Sequence, residues 1–303
     1  MTNIHLIGIG GAGLSAIATV LLQQGYHISG SDIQASSATA RLIELGASVF
    51  IGHQAGNLAD DLDVVVVSSA IAPDNPELVE AQRRGLTVAK RADWLGQMMQ
   101  HQTGIAIAGT HGKTTTTAMT AFVLQEAGQD PTYIVGGFIP QMNTNAAAGQ
   151  GPAFVIEADE YDHMFLGLRP KVAVITIVEW DHPDIFPTFD DLHSAFTDFV
   201  QLVPDDGLII GCGDAPGVGD VVRNTKARVV TYGLQAENDW RIVDLQPNRR
   251  GGHDFKINTP SSGDQSTTEV SLAVPGLHNV YNAVAALIAA HQQGLDLGQA
   301  ADI

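Results

Sequence analysis

Residues 105–127 read IAIAGTHGKTTTTAMTAFVLQEA, and their reading decides the fold of the chain. Four apolar residues, 105–108, predict a short buried strand. Gly109, Thr110, His111, Gly112, Lys113, Thr114 and Thr115 follow, and Met119, Phe122, Val123 and Leu124 then mark a helix that Gly128 closes. Strand, glycine loop, Lys-Thr and helix together make a phosphate-binding loop. Backbone N–H groups at the helix start surround phosphate oxygens, a lysine neutralises them and a hydroxyl ligates Mg2+. The spacing departs from G-x-x-x-x-G-K-[ST]: Ile107 stands where the first glycine belongs, and the glycine is at 109. The plainer reading is a tight strand-to-helix turn that carries a lysine. Four consecutive threonines, poor helix formers placed directly after Gly-Lys, favour nucleoside triphosphate binding over it.

At 303 residues the chain exceeds a typical domain, and two are expected. No apolar run is long enough to cross a bilayer and none resembles a signal peptide, so no membrane partner is expected. The single cysteine, Cys212, excludes an internal disulfide framework and suits the reducing cytosol. Within GLIIGCGD it reads as a small core residue rather than a nucleophile. A formal charge of −18 excludes nucleic-acid binding through a general basic field. Anionic ligands must be held locally instead, by helix N-termini, one or two cations and a bound metal.

Outward from the phosphate loop, the N-terminal stretch repeats its logic. Residues 3–9 predict a strand that runs into Gly8, Gly10, Gly11 and Gly13, with a helix over 14–24 and a second strand over 26–29. Asp32, 19 positions after Gly13, completes a dinucleotide fingerprint in which the acid reaches a ribose hydroxyl. The pattern admits a pyrophosphate to a helix N-terminus and does not say whose. Strands at 48–50, 64–67 and 87–89 alternate with helices at 38–45, 77–84 and 92–100, which predicts a parallel sheet. Ser68 and Ser69 fall at a strand's carboxyl end, where ligand contact and turn capping are both open readings. His53 reads as a solvated loop residue. The polar break His101-Gln102-Thr103 divides the chain into domains 1–102 and 103–303. Two phosphate-binding turns in consecutive units exceed what a single-site dehydrogenase or a simple kinase requires.

Two further strands of the second domain end in polar residues. Residues 153–156 lead into Glu157-Ala158-Asp159-Glu160-Tyr161-Asp162, and 172–178 into Glu179-Trp180-Asp181-His182. Carboxylates gathered beside a triphosphate repel it unless cations intervene. Mg2+ needs one or two carboxylates and a hydroxyl and keeps its waters otherwise. Glu157 and His182 are the candidates; Asp159, Glu160, Tyr161 and Asp181 stay open between site and loop roles. Further on, a helix is expected over 191–203 and strands over 207–212 and 228–232. A hairpin (240–245 with 253–257), a mobile loop at 260–268 and a strand at 269–274 come next. His278 or Asn279 would cap an Ala-rich helix over 283–291. The fold class is α/β: a Rossmann-like parallel-sheet domain, then a P-loop ATPase-type domain with an added small β-sheet.

The segments GIGGAGLSAIA, SSAI, GTHGKTTTT, EADEYD, EWDH and PGLHNVYNAVAA together resemble the Mur ligases, and the resemblance runs through essentially the whole chain. It implies an ATP- and Mg2+-dependent carboxylate–amine ligase of peptidoglycan precursor synthesis in the cytoplasm. UDP-N-acetylmuramate and L-alanine would be its substrates and an acyl phosphate its intermediate. A sister activity in the family joins a tripeptide to the same nucleotide sugar. Carried over, the resemblance puts Lys113 on the ATP phosphates, Thr114 and Glu157 on Mg2+, and His182 on a second Mg2+. His278, Asn279 and Asn282 fall on the adenine side, and the turn at Gly8–Gly13 on a UDP-sugar pyrophosphate rather than NAD. Ile177 departs from the Asn common in the family, and Tyr161 from Ser. The family's third domain has no counterpart in these residues, so this stretch alone is expected to bind both nucleotides without forming the amide. Two readings outside that activity are an NAD-dependent dehydrogenase, which leaves the phosphate loop unexplained, and a non-catalytic nucleotide-binding fragment.

Overall fold

A computed structural model describes residues 2–223, 225–259 and 266–303. The chain forms two compact units, and it crosses between them more often than one boundary at 102/103 provides for. The first unit comprises Met1–Met98 with Thr132–Gln150, and the second Met99–Pro131 with Gly151–Ile303.

In the first unit, strands run in the order Ser48–Ile51, His27–Asp32, Asn3–Ile7, Val64–Val67 and Thr87–Lys90, all parallel. The chain order reverses between Asn3–Ile7 and Val64–Val67. That reversal opens a crevice at the strands' carboxyl ends, where both the glycine turn and Ser68 lie. Helix starts are set locally: Ser36 and Thr39 form a reciprocal capping box, and Asn75 caps a helix whose first residue is Pro76. Thr132–Ile139 and Thr144–Ala147, unforeseen in the sequence, pair antiparallel and pack against helix Ala12–Gln23.

In the second unit the central strand Thr103–Ala108 lies between Ala153–Glu157 and Val172–Ile175, parallel to both. Leu208–Cys212 and Arg228–Gly233 extend the sheet in parallel. Trp240–Pro247, His253–Thr259 and Ser266–Leu272 add an antiparallel extension, joined through Tyr232–Trp240 and Gly233–Arg241. The loop expected at 260–268 is corrected in part. Residues 266–268 open the last strand, and 260–265 lie outside the described residues.

Helix Lys113–Glu126 packs against Leu277–His291, whose Ala, Val, Leu and Ile side chains are nearly all buried. The threonines that strain helix propensity are accommodated by this burial. Thr116, Thr117 and Thr120 are buried, and the hydroxyls of Thr117 and Thr120 donate to the carbonyls of Lys113 and Thr116, each 2.8 Å away. Among the described residues no helix is long and apolar enough to cross a membrane.

Candidate functional site

The phosphate loop takes its shape from two glycines. Gly109 sits at φ 135° and Gly112, the N-cap of the Lys113 helix, at φ 84°. A Cβ on Gly109 would run into the Thr176 hydroxyl; one on Gly112 would lie 2.6 Å from Asn282 Oδ1. Thr176 donates to the His111 carbonyl at 2.6 Å, and the Thr110 N–H donates to the Ile177 carbonyl at 2.9 Å. The loop is thus stitched to the end of the neighbouring strand. Gly109→Ala is expected to destabilise the second unit by about 2–3 kcal/mol, read as a lower urea midpoint, because backbone and neighbour both refuse the methyl.

Lys113 Nζ donates to the Gly109 carbonyl at 2.7 Å and lies 2.9 Å from the Glu160 carboxylate. Glu160 is fully buried. Burial pushes its carboxyl above the usual carboxylate range, against the opposing pull of Lys113. The Thr114 hydroxyl donates to Glu157 Oε1 at 2.9 Å, so the two residues named for Mg2+ are side by side. A hydroxyl and a carboxylate suit a hard cation that shares phosphate oxygens and keeps its waters. Among the described residues, no three or more His, Cys, Asp or Glu converge as a metal cage.

His182, at φ 52°, directs Nε2 toward Glu160 Oε1 (3.7 Å) and Asp181 Oδ2 (3.8 Å). The Tyr161 ring meets its edge at 5.3 Å, and the Tyr161 hydroxyl donates to Asp184 at 3.1 Å. Asp159 accepts the Tyr161 N–H at 3.2 Å, a local turn contact. His111 is exposed, 3.8 Å from Glu179.

Beside the loop lies a cavity of about 420 Å3 whose lining includes Gly112, Ile177, Tyr232, His278, Tyr281 and Asn282. Asp214, also on its wall, accepts from the Tyr281 hydroxyl (2.8 Å), Asn238 (2.7 Å) and the Leu234 N–H (2.6 Å). Burial disfavours that charge, yet these donors hold the carboxyl below its usual range. The cap expected from His278 or Asn279 is corrected: the helix starts at Leu277 behind Gly276, so both fall in its first turn. Asn279 donates to the Pro275 carbonyl at 2.7 Å and accepts from Asn282 at 3.1 Å; Asn282 in turn accepts from Thr116 at 3.2 Å. This chain of amides ties one helix start to the other. Cys212 is buried, and burial pushes its thiol up to about 11, which leaves it protonated at neutral pH.

The first unit presents its own turn. The Ser31 carbonyl accepts the N–H groups of Gly8 (2.8 Å) and Ile9 (3.0 Å), and Asp32 Oδ2 accepts that of Gly10 at 2.8 Å. The Asp32 carboxylate therefore braces the turn. Helix Ala12–Gln23 begins at Gly11 with no side-chain cap, the arrangement that suits an anion. Ser68 packs against Gly8, its hydroxyl accepting the Ala70 N–H at 3.4 Å, and Ser69 is exposed. Arg91, missed in the sequence, stands against Gly13, where a Cβ would meet its guanidinium. Its signal was a cation directly after the strand Thr87–Lys90. The solvated reading of His53 is corrected: its side chain is 13% exposed, 2.9 Å from the Ser31 hydroxyl and 3.6 Å from the buried Glu77.

The sequence matches the Mur ligase family catalytic domain over residues 3–103 and the Mur ligase middle domain over 107–290. It is 45% identical to the UDP-N-acetylmuramate--L-alanine ligase of Geobacter sp. (strain M21), covering 95% of this chain and 61% of that protein. With the same-named ligase of Chlorobaculum tepidum it shares 43% identity over 98% of this chain and 61% of that protein. The chain thus spans less than two thirds of these curated relatives. Among solved structures, UDP-N-acetylmuramate:L-alanyl-gamma-D-glutamyl-meso-diaminopimelate ligase from Neisseria meningitides superposes with a TM-score of 0.88 at 30% identity. That match covers 100% of this chain and 97% of that one. UDP-N-acetylmuramate-alanine ligase from Thermotoga maritima gives 0.82 at 29%, covering 100% and 67%. The middle-domain match alone covers more than half of the residues, and the chain belongs to the Mur ligase family.

Proposed function

We propose that the chain carries the two nucleotide-binding parts of an ATP-dependent ligase that joins L-alanine to the carboxylate of UDP-N-acetylmuramate. The observation that carries this is the convergence of Lys113, Thr114, Glu157 and Glu160 where parallel strands end. Curated relatives at 43–45% identity are named for L-alanine. The Neisseria meningitides structure, similar along nearly its whole length, favours a tripeptide as the second reading of the amine substrate.

In this reading Lys113 and the N–H groups at the start of its helix hold the ATP phosphates, and the cavity beside Gly112 takes the adenine. Thr114 and Glu157 would hold Mg2+, with His182 as the candidate for a second ion. A bound Mg2+ would supply charge neutralisation on the transferring phosphoryl group. The lactyl carboxylate attacks the γ-phosphorus, ADP leaves, and the amine then displaces phosphate from the acyl phosphate. The chain's contribution is positioning and electrostatic support; no side chain is assigned as general base. The turn Gly8–Gly13 holds the sugar nucleotide's pyrophosphate, with Asp32 bracing the turn and Ser68, Ser69 and Arg91 beside it. ATP and a nucleotide sugar are substrates available in the cytoplasm.

Isothermal calorimetry tests the first unit's ligand. UDP-N-acetylmuramate is expected to bind at micromolar concentration and NADH not to bind. Tight NADH binding without the UDP-sugar would sink the ligase reading and return the dehydrogenase. Phosphate release from ATP with L-alanine against tripeptide, on a polypeptide as long as the relatives, separates the two amine substrates.

A further inference from the structure

Lys113 reaches the phosphate loop with its donors already engaged. Nζ contacts the Gly109 carbonyl at 2.7 Å, the Thr110 carbonyl at 3.4 Å and the Glu160 carboxylate at 2.9 Å. The two carbonyls belong to the loop. Glu160 comes from a different strand end, is fully buried, and has the His182 ring beside it, Nε2 at 3.7 Å. Its Oε2 also lies 2.9 Å from Nζ, so both carboxylate oxygens face the lysine. A buried carboxylate in this position cannot lose its lysine without becoming an uncompensated charge. The lysine therefore stays paired when a triphosphate arrives, and the phosphate meets a nearly neutral Lys–Glu pair.

We propose that Glu160 is a positioning residue that cancels the charge of Lys113 and so makes triphosphate affinity depend on the divalent cation held at Thr114 and Glu157. The inference rests on the proposed ATP site and goes beyond it by giving Glu160 a task distinct from ligating metal. Most of the attraction for the phosphates must then come from the cation, since the loop lysine is spoken for. Replacing the carboxylate by an isosteric amide leaves Nζ an acceptor but releases its charge to the phosphates. Affinity for metal-free nucleotide should rise, and affinity for the Mg2+ complex should change little.

The test is calorimetric titration of ATP in EDTA and in excess Mg2+, on the parent chain, Glu160→Gln, Glu160→Asp and Lys113→Ala. The parent is expected to bind at least tenfold more weakly in EDTA. Glu160→Gln should bind metal-free ATP about tenfold more tightly than the parent, with less than a threefold change in Mg2+, and Glu160→Asp should restore the parent's metal dependence. An unchanged or weaker metal-free affinity in Glu160→Gln, with melting like the parent's, overturns the proposal. So does a parent that binds equally well with and without Mg2+, a measurement that holds even where the variant fails to fold. Lys113→Ala separates the two levels of inference. If it binds ATP as the parent does, the triphosphate site itself is wrong; if it binds weakly while Glu160→Gln is unchanged, only the role of Glu160 falls.

Discussion

Lys113→Ala is expected to weaken Mg-ATP binding by a hundredfold or more, measured by calorimetry at fixed Mg2+. The chain carries 15 Lys and Arg against 33 Asp and Glu, so no diffuse positive field can replace a lost local cation. The alanine leaves the Glu160 carboxylate uncancelled beside the phosphates, and it removes the side chain that ties the Gly109 carbonyl to Glu160 and so shapes the loop. Lys113 bridges the loop carbonyl of Gly109 and the Glu160 carboxylate, so its removal has a second consequence. Glu160 is left buried beside His182 without its principal partner, which costs roughly 3–5 kcal/mol when a buried pair is broken from one side. Lys113→Ala should therefore melt earlier than the parent. Adding Glu160→Gln should recover much of the stability and only part of the Mg-ATP affinity, because the repulsion goes but the lysine's hold on the loop stays lost. Full recovery of both would mean that the lysine matters only for folding, and the phosphate-binding role would be lost.

The parallel sheets and the glycine turns were legible because their signals are local. Apolar runs such as Val64–Val67 end directly in glycine or polar residues, and the strand-turn-helix pattern repeats at both phosphate turns. Glu157 was legible as a polar residue where an apolar strand stops, and the family resemblance put it on one Mg2+ with Thr114, whose hydroxyl donates to it in the structure. What was missed depends on contacts between residues far apart in sequence. Nothing near Glu160 indicates that it faces Lys113, 47 positions earlier, rather than a metal or solvent. The antiparallel pair Thr132–Ile139 and Thr144–Ala147 escaped because Gly136 and Gly137 interrupt the apolar run YIVGGFIP. Its register also shifts between Ile134 and Ile139, which removes the clean alternation that would have marked a strand. His53 read as solvated because a lone histidine among Gly, Gln and Asn carries no burial signal; its partners lie on a strand and a helix remote in sequence.

Those partners make Glu77 the residue on which the first unit most depends. Glu77 is fully buried in the first turn of helix Pro76–Arg83. Its carboxylate accepts from Asn57 Nδ2 at 2.5 Å, the Gln54 N–H at 3.1 Å, His5 Nε2 at 3.4 Å and the Ser31 hydroxyl. Burial alone would raise its pKa, yet the donors His5, Ser31, Asn57 and Gln54 outweigh it and hold the carboxyl at about 2, against an ordinary 4.5. A folded-state pKa below the unfolded value contributes stability that is fully present above pH 4.5. It declines as pH falls toward 2 and is absent below that. The shift corresponds to roughly 3 kcal/mol of pH-dependent stability. Glu77→Ala should cost about 3–5 kcal/mol near neutral pH, since four donors lose one acceptor inside a packed unit. The loss should reach the ligand turn, because the backbone carbonyl of the same Ser31 accepts the N–H groups of Gly8 and Ile9. Weaker UDP-sugar binding is therefore expected alongside the lower urea midpoint. The sign is checked by repeating the unfolding between pH 6 and pH 2.5: the gap between parent and Glu77→Ala should narrow steadily below pH 4.5, where the unfolded parent's carboxylate takes up a proton that the folded one still refuses. A gap that stays constant over that range would show that Glu77 acts by filling space, and that its charge does not support the turn.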